Sequence, residues 1–222
     1  RKRALSTVNR DMAPFRAALA KVLSPGAPNS EAAWQEALKA TPNANGRRTL
    51  YLDRGERLKL LENISAESAP FARALCLLPL RPGALSALTA GDFDKRTSEL
   101  TIGKDKTGKP RRIQLPKEAA KLLAAQAKNK LPSAALFMRA NGKGWDKDSW
   151  KLPIAAAVAA AGLPGDATAY TLRHSTITDL VSAGLPLLTI AQISGTSAEM
   201  IERHYGHLAS DAAVKALGEL AL

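Results

Sequence analysis

Tyr205 lies between two histidines in the segment MIERHYGHL, and two arginines, Arg81 and Arg173, each lie near the start of a predicted helix. A tyrosine hydroxyl becomes a nucleophile when a neighbouring base or cationic surroundings help to remove its proton. Two guanidinium groups at helix starts can hold an anion between them, because the exposed N–H groups there already favour negative charge. Together these residues suggest nucleophilic chemistry on an anionic substrate.

Each of these residues also has a structural explanation. Ile201, Tyr205 and Leu208 recur at the spacing of one helix face, so the tyrosine could belong to a buried apolar stripe. An arginine near a helix start can extend its charged end into solvent. His204 and His207 stand three residues apart, but three histidines and one distant cysteine are too few for a zinc site, and we expect no metal.

The segment SELTIGKDKTGKPRRIQLP contains two strand-like runs joined by Thr107 and Gly108, and it predicts a β-hairpin. The tip of this hairpin is rich in lysine and arginine. A basic tip is suited to lie along a phosphate backbone, although a solvated turn with charged edge strands would have the same sequence pattern. The cations that we assign to DNA contact here are Lys104, Lys106, Lys109, Arg111 and Arg112.

The elements that must position these residues are predicted to be helices. Apolar residues make up 45% of the chain and are mostly alanine and leucine, which favour helix over sheet. Asp53 and Glu56 form a capping box, and Pro82 suits the first position of a helix. Pro153 is expected to interrupt a helix around SWKLPIAAAVAAAG. We expect further helices in APFARALCLLPL, KEAAKLLAAQAKN, TLRHSTITDLVSAG, PLLTIAQISG, SAEMIERHY and SDAAVKALGEL.

The segment TPNANGRRTLY reads as a linker that divides the chain into residues 1–46 and 47–222. The first part predicts one helix capped by Ser6 or Thr7 and a second helix that begins at Ser30. The sequence opens without a methionine, and we expect further sequence upstream. The fold class is therefore mainly α with a small antiparallel β-sheet.

A formal net charge of +12 and a pI near 10 favour a polyanionic partner, with nucleic acid as the first candidate. The single cysteine excludes an intramolecular disulfide and is typical of a reducing cytoplasm. The longest apolar stretch is too short for a membrane span, so we expect no membrane partner. P-loop, HExxH and GxSxG motifs are missing, which leaves ATP-driven and serine-hydrolase chemistry without support.

Four segments together resemble the successive motifs of the tyrosine recombinases, or phage-type integrases, in both order and spacing. They are LLPLRPGALSALTAGDFD, GKDKTGKPRRIQLP, YTLRHSTITDLVSAGLPLLTIAQISGTS and MIERHYGHL. The resemblance implies the DNA breaking-rejoining catalytic fold for residues 47–222. It also implies that residues 1–46 are the C-terminal part of a helical core-binding domain and its linker.

By position, the resemblance makes Arg81 and Arg173 the two arginines of the family, Lys106 its hairpin lysine and Tyr205 its nucleophile. Arg173 is expected in the first turn of its helix, and the neighbouring His174 is assigned to DNA contact. The lysine would protonate the leaving 5′-oxygen, and the arginines would stabilise the phosphoryl transition state.

Two positions depart from the family pattern. Tyr170 stands where the family usually has a histidine, and Thr196 stands where a histidine or tryptophan normally follows the glycine. A tyrosine is a poor base near neutral pH, and a threonine can donate a hydrogen bond but carries no charge. His204 or His207 could compensate, although neither shares a helix face with the nucleophile.

The resemblance implies a site-specific recombinase that cuts and rejoins double-stranded DNA through a 3′-phosphotyrosyl intermediate, without cofactor, metal or ATP. A DNA-binding protein that has lost catalysis and a type IB topoisomerase-like enzyme are the alternatives. The partners implied are DNA, a dimer or tetramer of the chain on DNA, and accessory DNA-bending proteins. We expect a cytoplasmic, nucleoid-associated protein of bacterial or phage type.

Overall fold

The protein is described by a computed structural model, which covers residues 3–22, 35–42, 44, 49–103 and 110–218, with the backbone alone at 209–213, 215 and 216. The chain forms two compact units, Arg1–Arg48 and Thr49–Leu222. No helix within the described residues is long and apolar enough to cross a membrane.

The first unit contains helix α1, Leu5–Val22. The predicted caps, Ser6 and Thr7, lie inside this helix rather than ahead of it, so that prediction was wrong by two to three residues. The side chain of Asn9 donates to the Thr41 carbonyl at 2.8 Å and accepts from the Thr41 N–H at 2.9 Å, which ties α1 to residues 35–42. Most of the helix predicted from Ser30 lies outside the described residues.

The second unit is mostly helical with one small sheet, as the composition predicted. Its helices are α2 Arg54–Asn63, α3 Ala69–Leu77, α4 Pro82–Ser86, α5 Lys117–Ala127, α6 Lys151–Ala160, α7 Ala169–Ser182, α8 Leu187–Ser194 and α9 Ala198–Gly218. The strands are β1 Phe93–Asp94, β2 Glu99–Ile102 and β3 Arg111–Gln114.

The predicted hairpin is confirmed, because β2 and β3 pair antiparallel with Leu100 opposite Ile113. The tip between the two strands lies outside the described residues. The sequence did not predict β1, whose Phe93 pairs with Leu100 on the other edge of β2. Two residues are too few to show the alternation by which a strand is recognised in a sequence.

Local sequence signals account for most helix boundaries. The Asp53 side chain accepts from the Glu56 N–H at 2.8 Å and the Glu56 carboxylate accepts from the Asp53 N–H at 2.9 Å, which confirms the capping box. Pro82 is the first residue of α4, as predicted. Pro153 does not interrupt α6, because it lies in the first turn, where no intrahelical N–H bond is lost.

Two predicted helices, SAEMIERHY and SDAAVKALGEL, are instead the single helix α9. Gly206 lies within it, and an internal glycine weakens a helix by about 1 kcal/mol without ending it. The residues between the two predicted segments contain no proline, so nothing in the local sequence stops the helix.

Helix α7 contributes to two separate apolar clusters of the second unit. Leu172 belongs to the larger cluster, in which Phe71 stacks on two tryptophan rings. Ile177 and Val181, further along α7, belong to a second cluster shared with α8 and α9. Arg173 directly follows Leu172 on this helix and is itself buried.

Candidate active site

Arg173 projects from α7 into the protein and is only 8% exposed. Its Nη1 donates to the Pro79 carbonyl at 2.6 Å and to the Ser194 carbonyl at 2.9 Å. Helix α7 begins at Ala169, so Arg173 lies in the second turn and not in the first as predicted. Hydrogen bonds to two backbone carbonyls therefore hold this guanidinium in place. It does not depend on the exposed N–H groups at the start of the helix.

Burial is the largest cause that lowers the pKa of Arg173 from its usual value to about 10. The positive charges of Arg81 and Arg111 contribute to this lowering of the Arg173 pKa, whereas Tyr205 and Tyr170 act in the opposite direction. Like charges disfavour the charged form of a group within their reach. The guanidinium of Arg173 thus stands in a strongly positive part of the protein.

Arg81 is the N-cap residue of α4, and its Nη1 donates to the carbonyl of Gly195. Gly195 ends α8 in the left-handed conformation, with φ +69°. Because Arg173 holds the preceding carbonyl, that of Ser194, the two arginines meet at consecutive residues. The pair that the sequence singled out is therefore brought together at the end of α8.

The hydroxyl of Tyr205 on α9 lies 2.8 Å from Nδ1 of His174 on α7, within hydrogen-bond distance. The two ring centroids are 5.1 Å apart and tilted by 34°. Tyr205 is also buried in the cluster that contains Ile201, so the apolar stripe and the polar contact exist together. The tyrosine ring is packed while its oxygen faces an imidazole.

The two residues that depart from the family pattern lie near this centre. Tyr170 is 43% exposed and stands one helical turn before His174, on the same side of α7. Thr196 follows Gly195, and its backbone N–H donates to the Ala191 carbonyl at 3.1 Å. The 2.8 Å contact with the Tyr205 hydroxyl described above is made by His174, one helical turn after Tyr170.

The two hairpin arginines lie in different surroundings. The guanidinium of Arg111 lies against the Cα of Gly195, where an added Cβ would be 2.5 Å from Cζ. Arg112 is exposed, and its guanidinium lies 3.6 Å from the Glu99 carboxylate. The predicted DNA contacts Lys104, Lys106 and Lys109 lie outside the described residues.

No group of three or more His, Cys, Asp or Glu side chains that could hold a metal ion occurs in the part of the chain that the structure describes. His204 instead has its ring centroid 6.5 Å from that of Tyr205, in an edge-on arrangement.

The phage integrase family model matches residues 52–211, a span that contains all the side chains described above. The chain belongs to the phage integrase family. None of the curated proteins compared with it matches its sequence.

Solved structures with a similar fold are tyrosine recombinases. The XerA recombinase has 20% sequence identity and a TM-score of 0.63, covering 100% of this chain and 86% of that chain. The Tn1549 transposon integrase, in complex with circular intermediate DNA, has 19% identity and a TM-score of 0.67, covering 98% of this chain and 86% of its own. The catalytic domain of the bacteriophage HP1 integrase has 21% identity and a TM-score of 0.57, covering 76% and 95%. At these identities the likeness establishes the fold.

Sequence patterns did not indicate the contact between Tyr205 and His174. His174 was assigned to DNA contact, and His204 and His207 were considered as substitutes because they flank the tyrosine in sequence. The side chains at 174 and 205 meet only because α7 packs against α9. No local spacing could have indicated a contact between residues 31 positions apart.

Proposed function

We propose that this integrase is a site-specific DNA recombinase that cuts and rejoins DNA through a 3′-phosphotyrosyl intermediate on Tyr205. The observation that carries the proposal is the 2.8 Å contact between the Tyr205 hydroxyl and His174, beside a guanidinium pair. A nucleophile within hydrogen-bond reach of a base is a diagnostic arrangement for covalent catalysis. Membership of the phage integrase family supports the same reaction.

In the proposed cleavage step the Tyr205 oxygen forms a bond to the scissile phosphorus and the bond to the 5′-oxygen breaks. His174 accepts the phenol proton through Nδ1, in the tautomer that carries its own proton on Nε2. Arg81 and Arg173 neutralise the charge that develops on the non-bridging oxygens. Lys106 gives a proton to the leaving 5′-oxygen, a role that rests on the family resemblance alone.

Rejoining is the reverse of these transfers with a 5′-hydroxyl from the same or another strand. The energy of the broken phosphodiester is kept in the tyrosyl ester, so the reaction consumes no cofactor. Fixed guanidinium groups suit both directions, because the transition state is the same in each.

A DNA-binding protein without catalysis is the second candidate, because Tyr170 and Thr196 replace two residues of the family pattern. That candidate predicts tight DNA binding and no covalent product. A topoisomerase-like enzyme would form the covalent product but would not exchange strands between duplexes.

A trapping experiment separates these functions. The chain is incubated with a pool of nicked duplexes of random central sequence, in which cleavage near the nick releases a short strand and prevents religation. Covalent complexes are then isolated under denaturing conditions, and their DNA is sequenced. We expect the wild-type chain to enrich a defined sequence, which is then used in labelled duplexes to test strand exchange.

Three variants serve as controls. Tyr205→Phe should bind the enriched DNA but form no covalent complex, because it lacks the attacking oxygen. His174→Ala should cleave about 10²- to 10⁴-fold more slowly, and added imidazole should restore part of the rate. His207→Gln, an exposed position on α9, should cleave like the wild type. Covalent complex formed by Tyr205→Phe would contradict the assignment of the nucleophile.

We further propose that the partners are double-stranded DNA and other copies of the chain, assembled as a dimer or tetramer on DNA with accessory DNA-bending proteins. The net charge of +12 supports the first of these. Contacts to phosphates release counterions, so the affinity should fall steeply as the salt concentration rises. We also propose that residues 1–46 are the end of a core-binding domain with its linker, followed by the catalytic domain at 47–222.

A further inference from the structure

Arg111 is the first residue of β3, yet its guanidinium lies at the end of α8 beside Gly195. An ideal Cβ on Gly195 would be 2.5 Å from Cζ and 2.6 Å from Nη2 of Arg111, closer than real side chains approach. The absence of a side chain at residue 195 therefore makes room for this guanidinium.

Two other arginines hold the same short segment. Arg81 from the start of α4 donates to the Gly195 carbonyl, and Arg173 from α7 donates to the Ser194 carbonyl at 2.9 Å. Three guanidinium groups from three different elements thus gather around residues 194 and 195. Both Arg81 and Arg111 lie near enough to Arg173 to lower its pKa.

Guanidinium groups that lie this close together repel one another. The groups that act most strongly on Arg173 are two arginines and two tyrosines, and none of these carries a negative charge at neutral pH. An oxyanion would reverse the balance, because each guanidinium can give it charge-assisted hydrogen bonds.

The neighbouring residue shows that this placement is specific to Arg111. The side chain of Arg112 is 73% exposed and lies near the Glu99 carboxylate on β2. Successive side chains of a strand point to opposite faces of the sheet. Of the two hairpin arginines, Arg111 therefore reaches the residues at the end of α8 that Arg81 and Arg173 also contact, and Arg112 does not.

We propose that Arg111 is a third arginine of the phosphate site and a catalytic residue that contacts the scissile phosphodiester. It supplies the hydrogen-bond donors that the family pattern gives to a histidine or tryptophan at the position of Thr196. This inference rests on the proposed function, since the anion is the phosphodiester that Tyr205 would attack. The inference gives Arg111 a role in the cleavage reaction rather than in DNA contact by the hairpin tip.

Sulfate tests the anion site without DNA, because it is a tetrahedral oxyanion of the size of phosphate. Thermal stabilisation of the chain by sodium sulfate is measured against sodium chloride at equal ionic strength. We compare wild type with Arg111→Gln, and with Arg96→Gln, which removes an exposed arginine in the turn between β1 and β2. We expect equal sulfate affinity in wild type and Arg96→Gln, and about tenfold or greater weakening in Arg111→Gln.

Equal sulfate affinity in wild type and Arg111→Gln would overturn the inference, and so would a wild-type chain that sulfate does not stabilise. Should Arg111→Gln fold poorly, Arg111→Lys keeps the charge but loses the two-pronged donor geometry. That variant should bind sulfate with an affinity between those of wild type and Arg111→Gln.

Single-turnover cleavage of the enriched DNA is the second arm. At saturating DNA we expect Arg111→Gln to cleave about 10- to 100-fold more slowly, with DNA affinity changed about threefold or less. An unchanged cleavage rate would contradict the catalytic role. If wild-type protein forms no covalent complex with any DNA in the pool, the proposed recombinase function fails, while the sulfate comparison still decides whether Arg111 belongs to an anion site.

Discussion

Replacing Arg173 by methionine should abolish cleavage while costing little stability. Arg173 is a buried cation that donates hydrogen bonds to two carbonyls, and two neighbouring arginines oppose its charge. Methionine has a similar length and fills the space without a charge. The variant therefore removes an unfavourable charge together with two hydrogen bonds.

Loss of the unfavourable charge and loss of the two hydrogen bonds change the free energy of unfolding by similar amounts in opposite directions. The lowering of the Arg173 pKa from its usual value to about 10 corresponds to roughly 3 kcal/mol against the charged form in the folded state. The folded-state pKa lies below the unfolded one, so this cost applies in full below about pH 10 and disappears as the pH rises towards the higher pKa of the unfolded state. Each charge-assisted hydrogen bond contributes about 1.5–3 kcal/mol. Arg173→Met should therefore lower the free energy of unfolding by only about 0–3 kcal/mol.

Arg57→Met is the matched control, because Arg57 is an equally buried arginine that pairs with a carboxylate. Its Nη2 lies 2.5 Å from the Asp179 carboxylate, and its Nε donates to the Asp53 carbonyl at 3.2 Å. Removing one member of such a pair usually costs about 3–5 kcal/mol, somewhat less here because Asp179 is partly exposed. Urea unfolding followed by circular dichroism gives both free energies.

The cleavage rates of the two variants should follow the opposite order to their stabilities. At a temperature where both variants are folded, Arg173→Met should cleave the enriched DNA at least about 10³-fold more slowly, because it lacks a fixed donor for the transition state. Arg57→Met, although less stable, should cleave at close to the wild-type rate. If the cleavage rates instead fall in the same order as the stabilities, Arg173 acts through the fold and the argument from its charge is refuted.

Three further predictions concern the surroundings of the site. Gly195→Ala should destabilise the chain by about 1 kcal/mol, because φ is +69°, and should weaken sulfate binding as Arg111→Gln does, because its Cβ displaces the Arg111 guanidinium. Tyr170→His should cleave within about threefold of the wild-type rate, because His174 already contacts the Tyr205 hydroxyl; a much larger gain would assign the proton transfer to position 170. Burial raises the pKa of Cys76 from 9.0 to about 11, so iodoacetamide at about pH 8 should label the folded chain roughly 100-fold or more slowly than the urea-unfolded chain, and equal rates would show an accessible thiolate.

Local signals predicted the elements well wherever the cause of the structure is local. The capping box at Asp53, the helix start at Pro82 and the pairing of β2 with β3 all depend on residues close in sequence. The errors also have local causes. The two helices predicted in place of α9 lie on either side of Gly206, and β1 is too short to give a pattern.

The sequence by itself determined the fold class, the family and which arginines and tyrosine to examine, because these follow from residue types at fixed spacings along one chain. Tertiary structure alone decided their surroundings. In the folded protein His174, rather than His204, lies within hydrogen-bond distance of the Tyr205 oxygen. The guanidinium of the hairpin residue Arg111 lies beside Gly195. Contacts of this kind depend on how α7, α8, α9 and β3 pack, and packing is set by apolar surfaces distributed over the whole unit. A linear motif contains the reactive groups, but the packing of the core sets the distances between them.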